Sequence, residues 1–254
     1  MESMRSISPL LAELSGVTKR AGELALESRK SLVRELKPDG SVVTNGDRAV
    51  EEFLRPILTE LVPGTSVWGE EFGLDPEGEN GWWLVDPVDG TTNYAFGAPY
   101  WGVSIALMQQ NRLTLGAIYL PDLNEMVVAE AGLGAFLNQK PLEAIPTGSV
   151  RDEEMISYSE RLIRRYPKAV FPGRMRCSGA FVIDGAFTAT QRFRGLIGMG
   201  EKLYDVAASV LINSELGADI RYASGAPFIL ANLKADIKIE EPWLIFPKES
   251  GFRI

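Results

Sequence analysis

No histidine occurs among the 254 residues, and that absence excludes more chemistry than any other feature of the chain. Ser-His-Asp and Cys-His nucleophilic mechanisms are ruled out, as are imidazole metal ligands. Hydrolysis must then be built from carboxylates, hydroxyls, backbone amides and metal ions. A single cysteine, Cys177, leaves no partner for an intrachain disulfide and fits a reducing compartment. Positive charge is in deficit, with 26 Lys and Arg against 34 Asp and Glu. That balance argues against a broad nucleic-acid surface but not against a small anionic ligand, because a bound metal reverses the sign locally. No apolar run approaches the roughly 20 residues that span a bilayer. The start, Met1-Glu2-Ser3-Met4-Arg5, leads into an amphipathic stretch and not into a secretory signal. The expectation is a soluble cytoplasmic protein with neither a membrane nor a nucleic-acid partner.

The length suits one domain over residues 1–254, in two joined halves of about 1–148 and 149–254. Helical spacing of Leu10, Leu14, Val17, Ala21, Leu24, Ala25 and Leu32 predicts a helix from Ser8 to Glu35, stopped near Pro38-Asp39-Gly40. A second helix is predicted from Asp47 to Leu61, with Asp47 at its cap or first turn. Strands are predicted over 66–68 and 82–85, with a polar loop at 73–81 between them. Residues 102–108, 113–119 and 125–130 read as three neighbouring antiparallel strands, turning at Asn111-Arg112 and Pro121-Asp122. Another strand is expected over 132–137, followed by a tight turn at 138–140. Residues 146–152 read as a linker. Beyond them come a strand at 155–157, helices at 181–188 and 205–216, and a late strand beginning at Ala218. The apolar, proline-broken segment 240–247 packs either on the core or on a second subunit.

The segment richest in chemistry is Trp83-Leu84-Val85-Asp86-Pro87-Val88-Asp89-Gly90-Thr91-Thr92-Asn93-Tyr94. A buried strand delivers two carboxylates, then a glycine that allows close backbone approach, then two hydroxyls. Acids for a hard cation beside amides for an anion is the layout that phosphate-ester hydrolysis needs. Taken alone, Asp-Pro and Asp-Gly simply make turns. Gly69-Glu70-Glu71 after a strand, Tyr204-Asp205-Val206-Ala207-Ala208 opening a helix, and Thr44-Asn45-Gly46-Asp47 are each ordinary surface or capping sequences on their own.

Together these four segments resemble the inositol monophosphatase family of magnesium-dependent, lithium-sensitive sugar-phosphate phosphatases. The resemblance covers nearly the whole chain. The family's second signature, Trp-Asp-x-Ala-(Ala/Gly), appears imperfectly as Tyr204-Asp205-Val206-Ala207-Ala208. The resemblance implies an α/β fold of layered, alternating helices and sheets, mostly antiparallel in the first half and smaller and mixed in the second. It implies that Glu70, Asp86 and the carbonyl of Val88 hold one Mg²⁺, and that Asp86, Asp89 and Asp205 hold another. A third, weaker ion would lean on Glu70. Thr91 and Asp47, with Glu70, would activate the attacking water. Asp89, Gly90, Thr91, Thr92 and Asp205 would meet the substrate, a small phosphate monoester with inositol monophosphate as the family default. A homodimer is implied as well.

Three departures bear on the alcohol. The glutamate usual seven residues before the second-signature aspartate is Gly198, a customary small residue is Phe181, and Tyr204 replaces tryptophan. Arg192 and Arg194 read as solvated, with positive charge for a second phosphate as the alternative. Rivals within the family are phosphatases for 3′-phosphoadenosine, fructose bisphosphate or histidinol phosphate. An aspartyl-phosphate mechanism would place two aspartates two apart as Asp-x-Asp, whereas Asp86 and Asp89 are three apart with Pro87 between them. A non-catalytic phospholigand-binding protein is the rival of another class.

Overall fold

The computed structural model describes residues 6–76, 78–233 and 237–251. The segment Met1 to Arg5 lies outside the described residues. Helix α1 (Pro9–Arg29) starts where Ser8 accepts the Leu11 N–H at 3.1 Å, with proline in its first turn. It buries Leu11, Leu14, Val17, Ala21 and Ala25. It ends six residues before the predicted stop. Asn45 takes the Val33 N–H at 2.7 Å and donates to the carbonyls of Ser28 and Ser31, which turns the chain out of the helix. Residues 34–44 then form a hairpin of β1 (Arg34–Leu36) and β2 (Val42–Thr44), and Pro38-Asp39-Gly40 makes its turn in place of a helix stop. Helix α2 (Asn45–Leu61) begins two residues earlier than predicted. Thr44 is its cap and Asp47 completes a capping box.

An eight-stranded sheet forms the centre. Its members are β3 (Ser66–Gly69), β4 (Gly73–Leu74), β5 (Trp82–Asp89), β6 (Gly102–Gln109), β7 (Arg112–Leu120), β8 (Glu125–Glu130), β9 (Gly134–Leu137) and β10 (Lys140–Pro141). They lie in the order β10-β9-β8-β7-β6-β5-β3-β4, antiparallel except for the β3–β5 pair. The β6–β7 hairpin turns at Gln110-Asn111, both left-handed, one residue before the predicted position. The short helix α3 (Thr91–Ala95) follows β5 directly.

The second half contributes β11 (Met155–Tyr158), α4 (Glu160–Arg165), β12 (Arg174–Arg176), α5 (Phe181–Ala189), β13 (Gly195–Gly198), α6 (Leu203–Glu215), β14 (Asp219–Tyr222) and β15 (Trp243–Phe246). Its five strands form a mixed sheet in the order β12-β11-β13-β15-β14. The proline-bracketed C-terminal segment is therefore a buried inner strand of the core, between β13 and β14.

Alternation along the strands sets the layers. Trp83 and Val85 of β5, with Val103, Ile105 and Leu107 of β6, face α1 and α2. Leu84 and Ala106 face the opposite way, onto Ala186 of α5 and Ala207, Ala208 and Leu211 of α6. The far side of those helices meets Leu196, Trp243 and Ile245, while Leu244 and Phe246 pack against Leu162 of α4. The result is the alternating stack of helices and sheets that the resemblance implied. Among the described residues, no helix is long and apolar enough to cross a membrane.

Candidate active site

Two parallel neighbours, β3 and β5, end side by side, and their ends carry the acids. In a regular strand, residues three apart face opposite ways. Asp86 pairs with Ser104 and Asp89 with Gly102, so three steps on β5 oppose two on β6. This bulge at Pro87 and Val88 adds the one residue needed to aim both carboxylates to the same side. Asp86 is buried and accepts the Val88 N–H at 3.1 Å. Gly90 then adopts φ 86°, and a Cβ there would lie 2.7 Å from the Ala180 methyl. Glycine is thus required at the join between β5 and α3.

Thr91 brings its hydroxyl to 3.0 Å from Asp47 Oδ1 and 3.0 Å from the Val88 carbonyl. Asp47 is fully buried and also accepts the Thr44 N–H at 2.9 Å. Its role as a helix cap and its contact with Thr91 use different oxygens, so one residue serves both. Desolvation pushes its carboxyl above the usual range, against the pull of Thr44 and Thr91.

Glu70 leaves the end of β3 beside Glu71. Lys37, from the β1–β2 hairpin, places its ammonium 2.9 Å from Glu70 and 2.6 Å from Glu71. The turn itself is held from below. Glu51, fully buried on α2, accepts the Glu71 N–H at 2.7 Å and the Phe72 N–H at 3.1 Å, and Arg55 forks onto it. A Cβ on Gly69 would fall 2.1 Å from the Glu51 carboxylate, so only glycine fits between them.

Asp205 enters from the first turn of α6, where it accepts the Lys202 N–H at 2.7 Å. Oxygens of Glu70, Asp86 and Asp205 all lie within 4.8 Å of one another. Asp89 stands outside that trio and accepts the Val182 N–H from α5, yet it lines a cavity with Asp205. The acids raise one another. The Asp86 carboxyl is pushed well up by desolvation, then by Glu70, Asp89 and Asp205. Asp205 is pushed up by desolvation, then by Glu70 and Asp89. Carboxylates crowded this way are stable as anions only with a cation among them, and all-oxygen donors match a hard divalent ion.

The sequence model of the Inositol monophosphatase family matches residues 6–244. The chain belongs to this family. Its members are phosphoric monoester hydrolases, and this chain is one of them. The fructose-1,6-bisphosphatase/inositol-1-monophosphatase of Aquifex aeolicus is 30% identical over 239 residues, 89% of this chain and 90% of that one. The histidinol-phosphatase of Chlorobaculum parvum is 39% identical, but over 129 residues, half of each chain. In fold, the extragenic suppressor protein suhB of Bartonella henselae superposes with a TM-score of 0.81 at 24% identity, covering 96% of this chain and 95% of that one.

Against this inositol monophosphatase frame, the residues that reasoning from sequence missed are Lys37, Glu51 and Glu201. Lys37 and Glu51 sit in segments that read as a helix end and a solvated helix face, so nothing marked them. Of the residues singled out for the alcohol side, Phe181 is buried and tilts against Trp243 at 5.4 Å. Gly198 lies in β13, and Tyr204 is buried under Lys202. Arg192 forks onto Glu125, and Arg194 donates to the carbonyls of Pro146, Thr147 and Gly148.

Proposed function

We propose that the protein hydrolyses a small phosphate monoester, inositol monophosphate first among the candidates, with two to three Mg²⁺ ions. The observation supporting this most strongly is the convergence of Glu70, Asp86 and Asp205 within 4.8 Å. Glu70, Asp86 and the carbonyl of Val88 would hold one ion, and Asp86, Asp89 and Asp205 a second, with a third leaning on Glu70. Bound there, Mg²⁺ supplies charge that offsets the phosphate dianion and acidifies water.

The protein's own residues do the rest. Thr91 takes a proton from the attacking water and passes its own to Asp47, whose desolvated carboxyl accepts it more readily than an ordinary aspartate does. Glu70 shares in orienting that water. The oxygen of that water bonds to phosphorus, the ester P–O bond breaks, and the departing alcohol takes a proton from solvent. Amides of Gly90 and Thr91 receive phosphate oxygens beside Thr92, and Asp89 and Asp205 flank the ester.

A second reading, a histidinol-phosphate phosphatase, draws support from the 39% local identity to a relative of that name and from the missing glutamate at Gly198. The same proposal includes a cytoplasmic homodimer sensitive to lithium. The test is phosphate release across inositol, sugar, nucleotide and histidinol phosphates, with Mg²⁺ and with chelator. Asp89→Asn should lower kcat by about 10²-fold or more, the scale of deleting one electrostatic element from a site. Full activity in that variant would sink the ligand assignment.

A further inference from the structure

Beside the converging acids lies a buried hydroxyl that nothing yet accounts for. Ser104, on β6, is fully buried, and its hydroxyl has no hydrogen-bond partner among the described residues. The register of the sheet shows what surrounds it. Ser104 stands directly opposite Asp86 on β5 and opposite Ile118 on β7. On the same face of its own strand come Gly102 and Ala106. Of these four neighbours only Asp86 has a polar side chain. The face looks toward α5 and α6, where Val182, Ala207 and Ala208 form an apolar cluster with Ala106 and Ile118.

A buried hydroxyl without a partner has given up water and gained nothing in return, so the fold carries it at a cost. Residues directly opposite in an antiparallel pair have Cβ atoms about 4.5–5.5 Å apart, close enough for a serine hydroxyl to meet a carboxylate after rotation about one side-chain bond. Asp86 has room for such a donor. Among the described residues it accepts one N–H, from Val88, on Oδ1. A carboxylate offers about four lone-pair directions. In the proposed site Asp86 is shared by two cations, which use two of the four, and Val88 uses a third. The fourth is left for a donor, and by register that donor is Ser104.

We propose that Ser104 is a positioning residue for the metal site: in the cation-bound protein its hydroxyl donates to the Asp86 carboxylate and fixes the orientation in which that carboxylate serves both ions. This rests on the metal assignment above and adds a residue to it. Ligating carboxylates are commonly held in this way by a hydrogen bond from behind.

The test uses the full chain and Mg²⁺ alone, read by titration calorimetry and by thermal melting in chelator and in saturating Mg²⁺. Ser104→Ala should weaken Mg²⁺ binding by about 10–100-fold, the range for losing a residue that supports a metal ligand. In chelator the same variant should melt no lower than the wild type, because the hydroxyl it lacks has no partner there. A packing role gives the reverse pattern, a lower melting temperature in chelator with unchanged Mg²⁺ binding, and that result would overturn the assignment. Ser104→Cys keeps nearly the same shape and a weak donor, so its affinity should fall between the two. Binding weaker than that of Ser104→Ala would overturn the assignment as well. Ser209 is the control: its buried hydroxyl also has no partner among the described residues, and it packs where a Cβ on Gly185 of α5 would lie 2.0 Å from its oxygen. Ser209→Ala should bind Mg²⁺ as the wild type does, and an equal loss there would overturn a role particular to Ser104. A wild type that neither binds Mg²⁺ nor melts higher in its presence would overturn the metal reading and this one together.

Discussion

The two sides of the site differ in how much of each is supplied by one stretch of chain. On the side of the converging acids, six consecutive residues from Asp86 to Thr91 supply carboxylates, a carbonyl and a hydroxyl from one strand end, and Glu70 and Asp205 join them from β3 and α6; α2 braces Thr91 through Asp47 and the turn after Glu70 through Glu51. On the alcohol side, single residues from α5, β13, the β13–α6 loop and β15 meet only in space. A contiguous wall is fixed by local backbone geometry and tolerates little change. A dispersed wall can be re-shaped one residue at a time while the metal side stays intact. In the proposed reading the acids that would hold cations stand together, while Gly198, Glu201 and Phe181 shape the side that would meet the alcohol.

The sharpest way to break this contrast is at Thr91. Thr91→Val keeps the shape but removes the hydroxyl that touches Asp47 at 3.0 Å. A lost proton relay of this kind costs about 10²–10⁴-fold. The fall should appear in kcat, for every ester that the protein hydrolyses, with Mg²⁺ half-saturation little moved. Losses confined to one class of ester would mean that Thr91 belongs to the alcohol wall instead.

Glu51 offers the next largest effect. It touches no proposed ligand atom, but it fixes the amides that follow Glu70. Glu51→Gln keeps volume and one acceptor and gives up the charge that Arg55 answers. Supporting residues behind metal ligands are typically worth about 10–100-fold in affinity or activity. The expectation is a rise in Mg²⁺ half-saturation on that scale, read by titration calorimetry as well as by turnover. A variant that melts lower yet binds Mg²⁺ as the wild type does would show that Glu51 supports the fold and not the site.

The contrast also explains which parts were legible beforehand. Asp86, Asp89, Gly90 and Thr91 stood out in the sequence because their chemistry is contiguous, whereas Val88 and Asp205 entered as candidates only through the family resemblance. Glu51 did neither, since a glutamate on an amphipathic helix reads as solvated until a glycine 18 positions later proves to make room for it. The β1–β2 hairpin was hidden by apolar spacing that persists to Leu32, and only the side chain of Asn45 shows that the helix has ended. The strand Trp243–Phe246 was obscured by its flanking prolines, which bound a buried strand instead of breaking one. Glu201 carried no signal at all, because its place depends on β15 arriving from 42 residues away.

The smallest expected effect concerns stability at Asp184, the other acid of the dispersed wall. Burial pushes its carboxyl up to about 7, although the hydroxyls of Ser157 and Ser178 pull it down. In the unfolded chain the group titrates near 3.9. Below that value both states hold the proton and no penalty arises. Between it and about 7 the folded state still binds the proton while the unfolded state has lost it, so stability falls as pH rises. Above about 7 both are ionised and the penalty is constant. Asp184→Asn removes the charge and keeps an acceptor for Ser178, so its melting temperature relative to wild type should climb from pH 5 to pH 8, measured in chelator. A shift of several degrees is the expected size, since about 1 kcal/mol moves the midpoint of a chain this long by roughly 2–4 °C. A difference that stays flat with pH would mean that the alcohol wall tolerates an ionised Asp184 at no cost. The wall would then be better solvated than its side-chain contacts imply.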